Sequence, residues 1–340
     1  MNQHPQAELD QPRRCLRNCI ICGSDDAKPV FTYTLDFLLG VRGHREDSLR
    51  LQGWTEETGS TIVKCSNCGC NYVRDPFLPS PAYAKAMSAH AETAQSLDER
   101  RQRLGSKETY KHYPQFDYQV WVVRNLVLLA ARAQKRDIKV LDFGAGGGET
   151  ASMARMMGVR DVVAYDPNWA EAIQEHFDAT NFPGIHCVRS LEPLSALGPF
   201  DAVIFQSAVE HVLDPRGELQ TIYDLMAPGG YLYVNNPVME IDKEIGQLRA
   251  ATTIKKSDRI SYYHPGHFNY MMPKDFERLL KEIGYEIMPL VHYAPVPFAS
   301  GFYREFLLTH LKRGVRYLQN VLGLPYDRYY YIVRKPTRSA

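Results

Sequence analysis

From Ile138 onward the chain alternates short, nearly continuous apolar runs with amphipathic stretches. The runs are IKVLDF, DVVAYD, IHCVRS, FDAVIFQ and GYLYVNN. Strands that are apolar throughout, rather than at every second residue, belong to a parallel sheet covered on both faces. The first two runs flank 17 residues, GAGGGETASMARMMGVR, the length of a turn and one crossover helix. The pattern predicts an α/β fold with a Rossmann-like, doubly wound, mostly parallel sheet. Two later runs, GYEIMPLVHYA and RYYYIVRK, lie on either side of a helical insertion near residues 300–322 and suit an antiparallel edge, which makes a seven-stranded sheet.

Upstream of Ile138 the texture changes. Residues 1–78 hold six of the seven cysteines and end near the Pro-rich DPFLPSP, so they predict a small N-terminal domain. Residues 79–135 read as a helical segment, or a lid, and residues 136–340 as the α/β domain with its insertion. Apolar residues at 44% and charged residues at 23% are ordinary for a globular enzyme. Forty basic against thirty-nine acidic side chains remove any global electrostatic reason for a nucleic-acid or membrane partner. Residues 303–340 are locally basic, with eight Lys/Arg and two Asp/Glu, as suits a solvated face or an anionic substrate. No run approaches the roughly 20 apolar residues of a membrane span, and MNQHPQAELDQPRR lacks the apolar core of a secretory leader. The expectation is a cytoplasmic enzyme with a small-molecule substrate and reduced cysteines; oligomeric state is left open.

The stretch VLDFGAGGGET carries the first chemistry. Glycine at a strand-to-helix turn lets backbone approach a ligand and adopt positive φ. A dinucleotide fingerprint, G-x-G-x-x-G, would need glycine at 149, where the chain has Glu149 after Gly144, Gly146 and Gly148. A carboxylate at the head of the following helix also repels pyrophosphate. NAD is therefore disfavoured, and a ligand with a ribose but no phosphate fits better. Asp166, at the end of the second run, is placed to accept both ribose hydroxyls.

With FDAVIFQSAVEHVLDP and DLMAPGGYLYVNNP following in order, residues 140–237 resemble the class I S-adenosylmethionine-dependent methyltransferases. The resemblance implies roles. Gly144, Ala145 and Gly146 would line the methionine and ribose through backbone, and Asp142 would help hold the amino group. Asp166 would take the ribose hydroxyls, with Pro167 and Asn168 near the adenine. Ser190 and Leu191 occupy the place of an adenine-contacting acid, which is absent here or displaced to Glu192. Gln206 and Ser207 would close the site near the sulfonium.

Two CxxC pairs, Cys19/Cys22 and Cys65/Cys68, can present four thiolates to one tetrahedral Zn²⁺. The gap of 42 residues between the pairs requires an inserted hairpin or loop. Four cysteines close the coordination shell, so the ion would be structural rather than catalytic. Cys70 is an alternative to Cys68, but CxxC spacing favours Cys68. An N-terminal segment of this pattern resembles a subgroup known from sugar and natural-product biosynthesis, some of whose members methylate carbon of nucleotide-linked sugars. Zinc ribbons that bind nucleic acid share the pattern, but basic and aromatic residues are little interleaved between the knuckles.

A general base is needed only where the acceptor loses a proton early. His267 is the leading candidate, His264 in the same YYHPGHFNY stretch is second, and His211 of VEHV is third. The sequence thus predicts O-, N- or C-methylation of a small molecule, with nucleotide-sugar C-methylation as runner-up. An RNA or protein methyltransferase, or a non-catalytic binding protein, stands as the alternative of another class.

Overall fold

This computed structural model describes residues 14–39, 46–51, 53–77, 114–167, 170, 174–175, 178, 184–235, 266–288 and 330–337. The 300–322 insertion, the stretch 79–113, Asn168 and His264 lie outside the described residues. The chain divides into two compact units. One takes residues 1–92, 207–220 and 236–279; the other takes 93–206, 221–235 and 280–340. The unit that contains the cysteines therefore draws on two later stretches as well as the N-terminal one.

The larger sheet lies wholly in the second unit. Its strands are β4 (Lys139–Phe143), β5 (Asp161–Tyr165), β6 (Ile185–Val188), β7 (Phe200–Phe205), β8 (Met226–Asn235), β10 (Glu286–Ile287) and β11 (Tyr330–Arg334), in the order β10-β11-β8-β7-β4-β5-β6. The five from β6 to β8 are parallel, whereas β11 pairs antiparallel with both β8 and β10. The expected seven-stranded sheet with an antiparallel edge is what forms. Every residue of β7 is buried, which explains why FDAVIF lacks alternation. Asp201 is the polar member of that strand, and its buried carboxylate accepts two bonds from Arg136 and one from the Lys139 amide.

Helix α3 (Pro114–Gln134) places Val123, Leu126 and Ala130 in the core that Val140, Val162, Ala202, Ile204 and Tyr233 supply from the strands. Helix α4 (Glu149–Met156) is the crossover from β4 to β5 and buries Ala151, Met153 and Ala154. Gly230 answers a close backbone approach in β8, since a Cβ there would lie 2.8 Å from the Ala227 carbonyl oxygen.

The first unit holds a second sheet, β1 (Ala27–Thr34), β2 (Gly59–Cys65), β3 (Asn71–Val73) and β9 (Asn269–Tyr270), antiparallel throughout. The long gap between the cysteine pairs is the β1–β2 hairpin, whose connection carries helices α1 (Leu35–Leu39) and α2 (Glu46–Leu51). A core of Tyr33, Leu35, Trp54, Ile62, Val73, Phe77 and Tyr270 packs beneath it, with Tyr33 stacked on Trp54 at 5.5 Å. Two further helices, α6 (Pro215–Leu225) and α7 (Pro273–Ile283), follow β7 and β9, and α5 (Glu192–Leu197) follows β6.

Candidate functional site

Strand order reverses about β4, whose neighbours β5 and β7 lead to opposite ends of the sheet. In open α/β sheets the ligand crevice lies at the carboxyl end of the strands at such a reversal. The glycine turn sits there. Gly144, Gly146 and Gly148 have φ of 74°, 51° and 73°, a left-handed region that favours glycine and accounts for the G-x-G-x-G spacing. The amides of Gly144 and Ala145 donate to the Tyr165 carbonyl at 2.8 and 2.9 Å, which locks the turn onto the end of β5. A Cβ built on Gly146 meets nothing within 4 Å, so open space lies against that backbone.

Two carboxylates flank the turn. The Gly146 amide donates to Asp166 Oδ2 at 2.9 Å, which brings together residues twenty apart in sequence. Asp142, 1% exposed, accepts the Thr150 hydroxyl and the Ala151 amide at the start of α4. Burial raises the Asp142 carboxyl to about 6, and the negative charges of Asp166 and Glu149 push it the same way. This floor disfavours anions, and an ionised Asp142 has no cation against it among the described residues. An ammonium or sulfonium group would offset that cost; a pyrophosphate would add to it.

Pro167 follows Asp166 and is exposed. Ser190 and Leu191 are exposed at the head of α5, and Glu192 is in its first turn. Gln206 ends the β7 turn with a buried Oε1 that has no hydrogen-bond partner among the described residues. Ser207 in the other unit has φ of 49°, an uncommon conformation for a non-glycine residue and one that clusters at functional turns.

Within the first unit the four sulfurs of Cys19, Cys22, Cys65 and Cys68 lie within 4.8 Å of one another. Cys19 Sγ is 3.5 Å from Cys68 Sγ, and Cys22 Sγ is 3.5 Å from Cys65 Sγ. A tetrahedral zinc with Zn–S near 2.3 Å sets its sulfurs about 3.8 Å apart, so these residues fit the ion. Each pair sits on a matched turn: the Gly23 amide donates to the Cys19 carbonyl at 2.8 Å and the Gly69 amide to Cys65 at 2.9 Å. Cys70, fully buried, is outside the set of four. Cys187 sits in β6, partly buried, as a small packing residue.

A second cluster in the same unit joins Glu210, His211 and His267, with one donor atom of each within 4.8 Å of the others. The two imidazoles meet edge to face at 4.6 Å. His211 Nδ1 lies 2.9 Å from the Gly266 carbonyl oxygen. Because a carbonyl only accepts, Nδ1 carries the hydrogen and the neutral ring's lone pair is on Nε2. Glu210 is 4% exposed, and burial raises its carboxyl to about 7. Its carbonyl accepts the Phe268 and Asn269 amides at 2.7 and 3.3 Å, and the Asn269 side chain donates to Val209 and Val212.

Sequence reading passed over Glu210, Asn269 and Arg17. Glu210 carried a signal, an acid four residues beyond the FDAVIFQ run and adjacent to a histidine. The other two carried none. Arg17 donates to the carbonyls of Val73, Leu213 and Phe268 and to Asn269 Oδ1, and so gathers three distant stretches of this unit.

Residues 115–290, just over half of the chain, match the family model described as "Methyltransferase domain". The ubiquinone biosynthesis O-methyltransferase of Xanthomonas axonopodis pv. citri (strain 306) is 32% identical over 113 residues, 32% of this chain and 47% of that protein. The tRNA 5-carboxymethoxyuridine methyltransferase of Escherichia coli (strain K12) is 32% identical over 120 residues, 33% of this chain and 44% of that protein. The chain spans about half the length of the curated relatives it matches. Among solved structures, the plantazolicin methyltransferase BpumL with SAH is 13% identical, with a TM-score of 0.41, over 74% of this chain and 98% of that one. The [4+2]-cyclase SpnF is 17% identical, with a TM-score of 0.38, over 63% and 80%. Given the family match over more than half of its length, this chain belongs to the S-adenosylmethionine-dependent methyltransferase family.

Proposed function

We propose that the protein transfers the methyl group of S-adenosylmethionine to a small-molecule acceptor. The observation that carries this reading is the pair of carboxylates, Asp142 and Asp166, about an open glycine turn. Together they suit a cationic, ribose-bearing ligand and oppose a phosphate-bearing one. Asp166 would hold the ribose hydroxyls, Asp142 the amino group, and the backbone of 144–146 the ligand's length. Pro167, Asn168, Ser190 and Leu191 would stand near the adenine, and Gln206 and Ser207 near the sulfur. The cofactor supplies an activated methyl on a good leaving group, so the chain's task is to align the acceptor and exclude water.

An alcohol or carbon-acid acceptor must also lose a proton. His267 would serve as that base, with His264 second and His211 third. In the N-terminal segment, residues 1–78, the four cysteines would hold a structural zinc. The paired cysteine knuckles, a pattern that resembles enzymes of sugar and natural-product biosynthesis, favour an acceptor from that chemistry. One observation favours a second reading: the Escherichia coli relative is a tRNA methyltransferase. The near balance of forty basic and thirty-nine acidic residues weighs against RNA.

Calorimetry with S-adenosylmethionine and its demethylated product, on wild type and Asp166→Ala, tests the proposal, with NAD as control. Micromolar binding that the variant loses is the expected result. Binding of NAD in preference, or of none of the three, would overturn it. A steep salt dependence of tRNA binding would move the RNA reading ahead.

A further inference from the structure

We propose that Glu210, His211 and His267 form a second metal site, distinct from the four cysteines, that takes a divalent transition-metal ion. Two imidazoles and a carboxylate with donor atoms inside 4.8 Å of one another make a mixed nitrogen–oxygen set. Such a set suits zinc, iron, cobalt or manganese better than magnesium or calcium. A cation with bonds of about 2.1 Å draws such donors to roughly 3.0–3.4 Å, within reach of side-chain rotation.

Three independent features point to a ligand. Glu210 Oε2 is buried and has no hydrogen-bond partner among the described residues. A buried carboxylate oxygen left so is costly unless something is bound to it. His211 gives its Nδ1 hydrogen to the Gly266 carbonyl at 2.9 Å, which fixes the ring and leaves Nε2 as donor. That outer hydrogen bond is the one metal-bound histidines usually make. Lastly, the segments that carry the three residues are tied at four points: Phe268 and Asn269 amides to Glu210 O, and Asn269 Nδ2 to Val209 O and Val212 O. Rigid backbone beneath a donor set is what a metal site needs and a surface histidine pair does not.

Three protein donors leave coordination positions open, and His211 is exposed to solvent while Glu210 is buried. The open positions take an oxygen of the acceptor, which narrows the acceptor class to hydroxyl-bearing molecules. Its role, though not its existence, rests on the methyl-transfer reading. A hydroxyl on such a cation would lose its proton more readily, which is the form an oxygen acceptor needs for methylation. This ligand role competes with the free-base role of His267, and the metal titration decides between the two.

Cobalt(II) titration of the full-length protein, followed by absorption, tests the site, with metal content counted by mass spectrometry. Thiolate-bound cobalt gives an intense ultraviolet charge-transfer band, whereas a nitrogen–oxygen site gives only weak visible bands. Wild type is expected to show both, as two equivalents. Glu210→Gln and His267→Ala should each lose the weak bands, with affinity down about a hundredfold or more, and keep the thiolate band. Retention of that band also reports that the variants are folded. A single equivalent in wild type, with the thiolate band accounting for it all, would overturn the proposal. So would weak bands that survive in both variants. S-adenosylmethionine binding measured on the same samples before metal addition separates the readings: intact cofactor binding beside a failed titration leaves methyl transfer standing and removes only the second metal.

Discussion

Arg17 Nη1 donates to Asn269 Oδ1 at 2.9 Å, across 252 positions of sequence. The same guanidinium reaches the carbonyls of Val73, Leu213 and Phe268, while Asn269 holds the carbonyls on either side of Glu210 and His211. The residue between Cys15 and Cys19 is therefore a fastener for the histidine cluster. Loss of solvent lowers the Arg17 guanidinium to about 10, and its fork of acceptors keeps it charged at neutral pH.

Arg17→Ala strands several carbonyls, and we expect a loss of about 2–4 kcal/mol in stability. Arg17→Lys should recover only part, because a point charge cannot serve four acceptors in one plane. Urea unfolding checks this: the midpoint should fall with an unchanged slope. A midpoint equal to wild type would mean these contacts contribute nothing net.

Cofactor affinity should depend on pH through Asp142. Its folded-state value near 6 lies above the ordinary 3.8, so the folded protein keeps a proton that the unfolded chain has released between those values. Stability from this group is therefore greatest below pH 4, falls as pH rises, and is fully lost above about 6, by about 3 kcal/mol. Binding of a cation runs the other way, since it needs the ionised form. S-adenosylmethionine affinity should rise through pH 6, and Asp142→Asn should bind weakly at every pH while melting no lower than wild type at pH 7.5. Equal affinity at pH 5 and pH 8 in wild type would remove Asp142 from the amino group.

The glycine turn gives a sharper mutation. Gly146→Ala places an L-residue at φ of 51°, which costs about 1–2 kcal/mol, and points a methyl into the open space beside the backbone. We expect a modest fall in melting temperature together with at least about a tenfold loss of cofactor affinity, as 1.4 kcal/mol of lost contact suffices for that. Weaker folding with unchanged affinity would place the ligand elsewhere.

Cys68 and Cys70 separate the thiolate site from its neighbour. Cys68→Ser should abolish zinc uptake by the thiolates and unfold the cysteine-bearing unit, because a metal held there would close the hairpin and the β2–β3 turn together. Cys70→Ser should keep the metal and lose about 1–2 kcal/mol, the usual cost of a hydroxyl in a buried thiol's place. Metal content and far-ultraviolet dichroism decide the matter; the reverse pattern would exchange the two ligands.

What was legible in the sequence had a local cause. Continuous apolar runs mark β4, β5 and β7 because both faces of each are covered, and the alternate glycines mark a turn that needs left-handed φ. The cysteine pairs are legible because each spans one tight turn whose closing amide is glycine's. Asp166 is found from its place at a strand end. Nothing local announces that Asn269 pairs with Tyr72 in a sheet made otherwise of residues before Asp75, since β9 is two residues long. Arg17 looks like any surface arginine until its four acceptors assemble from sequence separations of 56 to 252. Glu210 shows the same limit: its neighbour His211 is adjacent, but His267 arrives from another stretch of the chain.

The placement of β11 bears on how the protein is made. It lies between β8 and β10 rather than at a rim, so the strand of this sheet that comes latest in sequence becomes an interior member. Until residues 330–334 leave the ribosome, β8 presents a bare row of backbone donors and acceptors and β10 has nothing to join. A nascent chain stalled before that point, or a message with a premature stop there, would yield a sticky, half-zipped product prone to pair with its own kind. Quality control in the cell would then act on whether residues 330–334 have been added, far in sequence from the glycine turn.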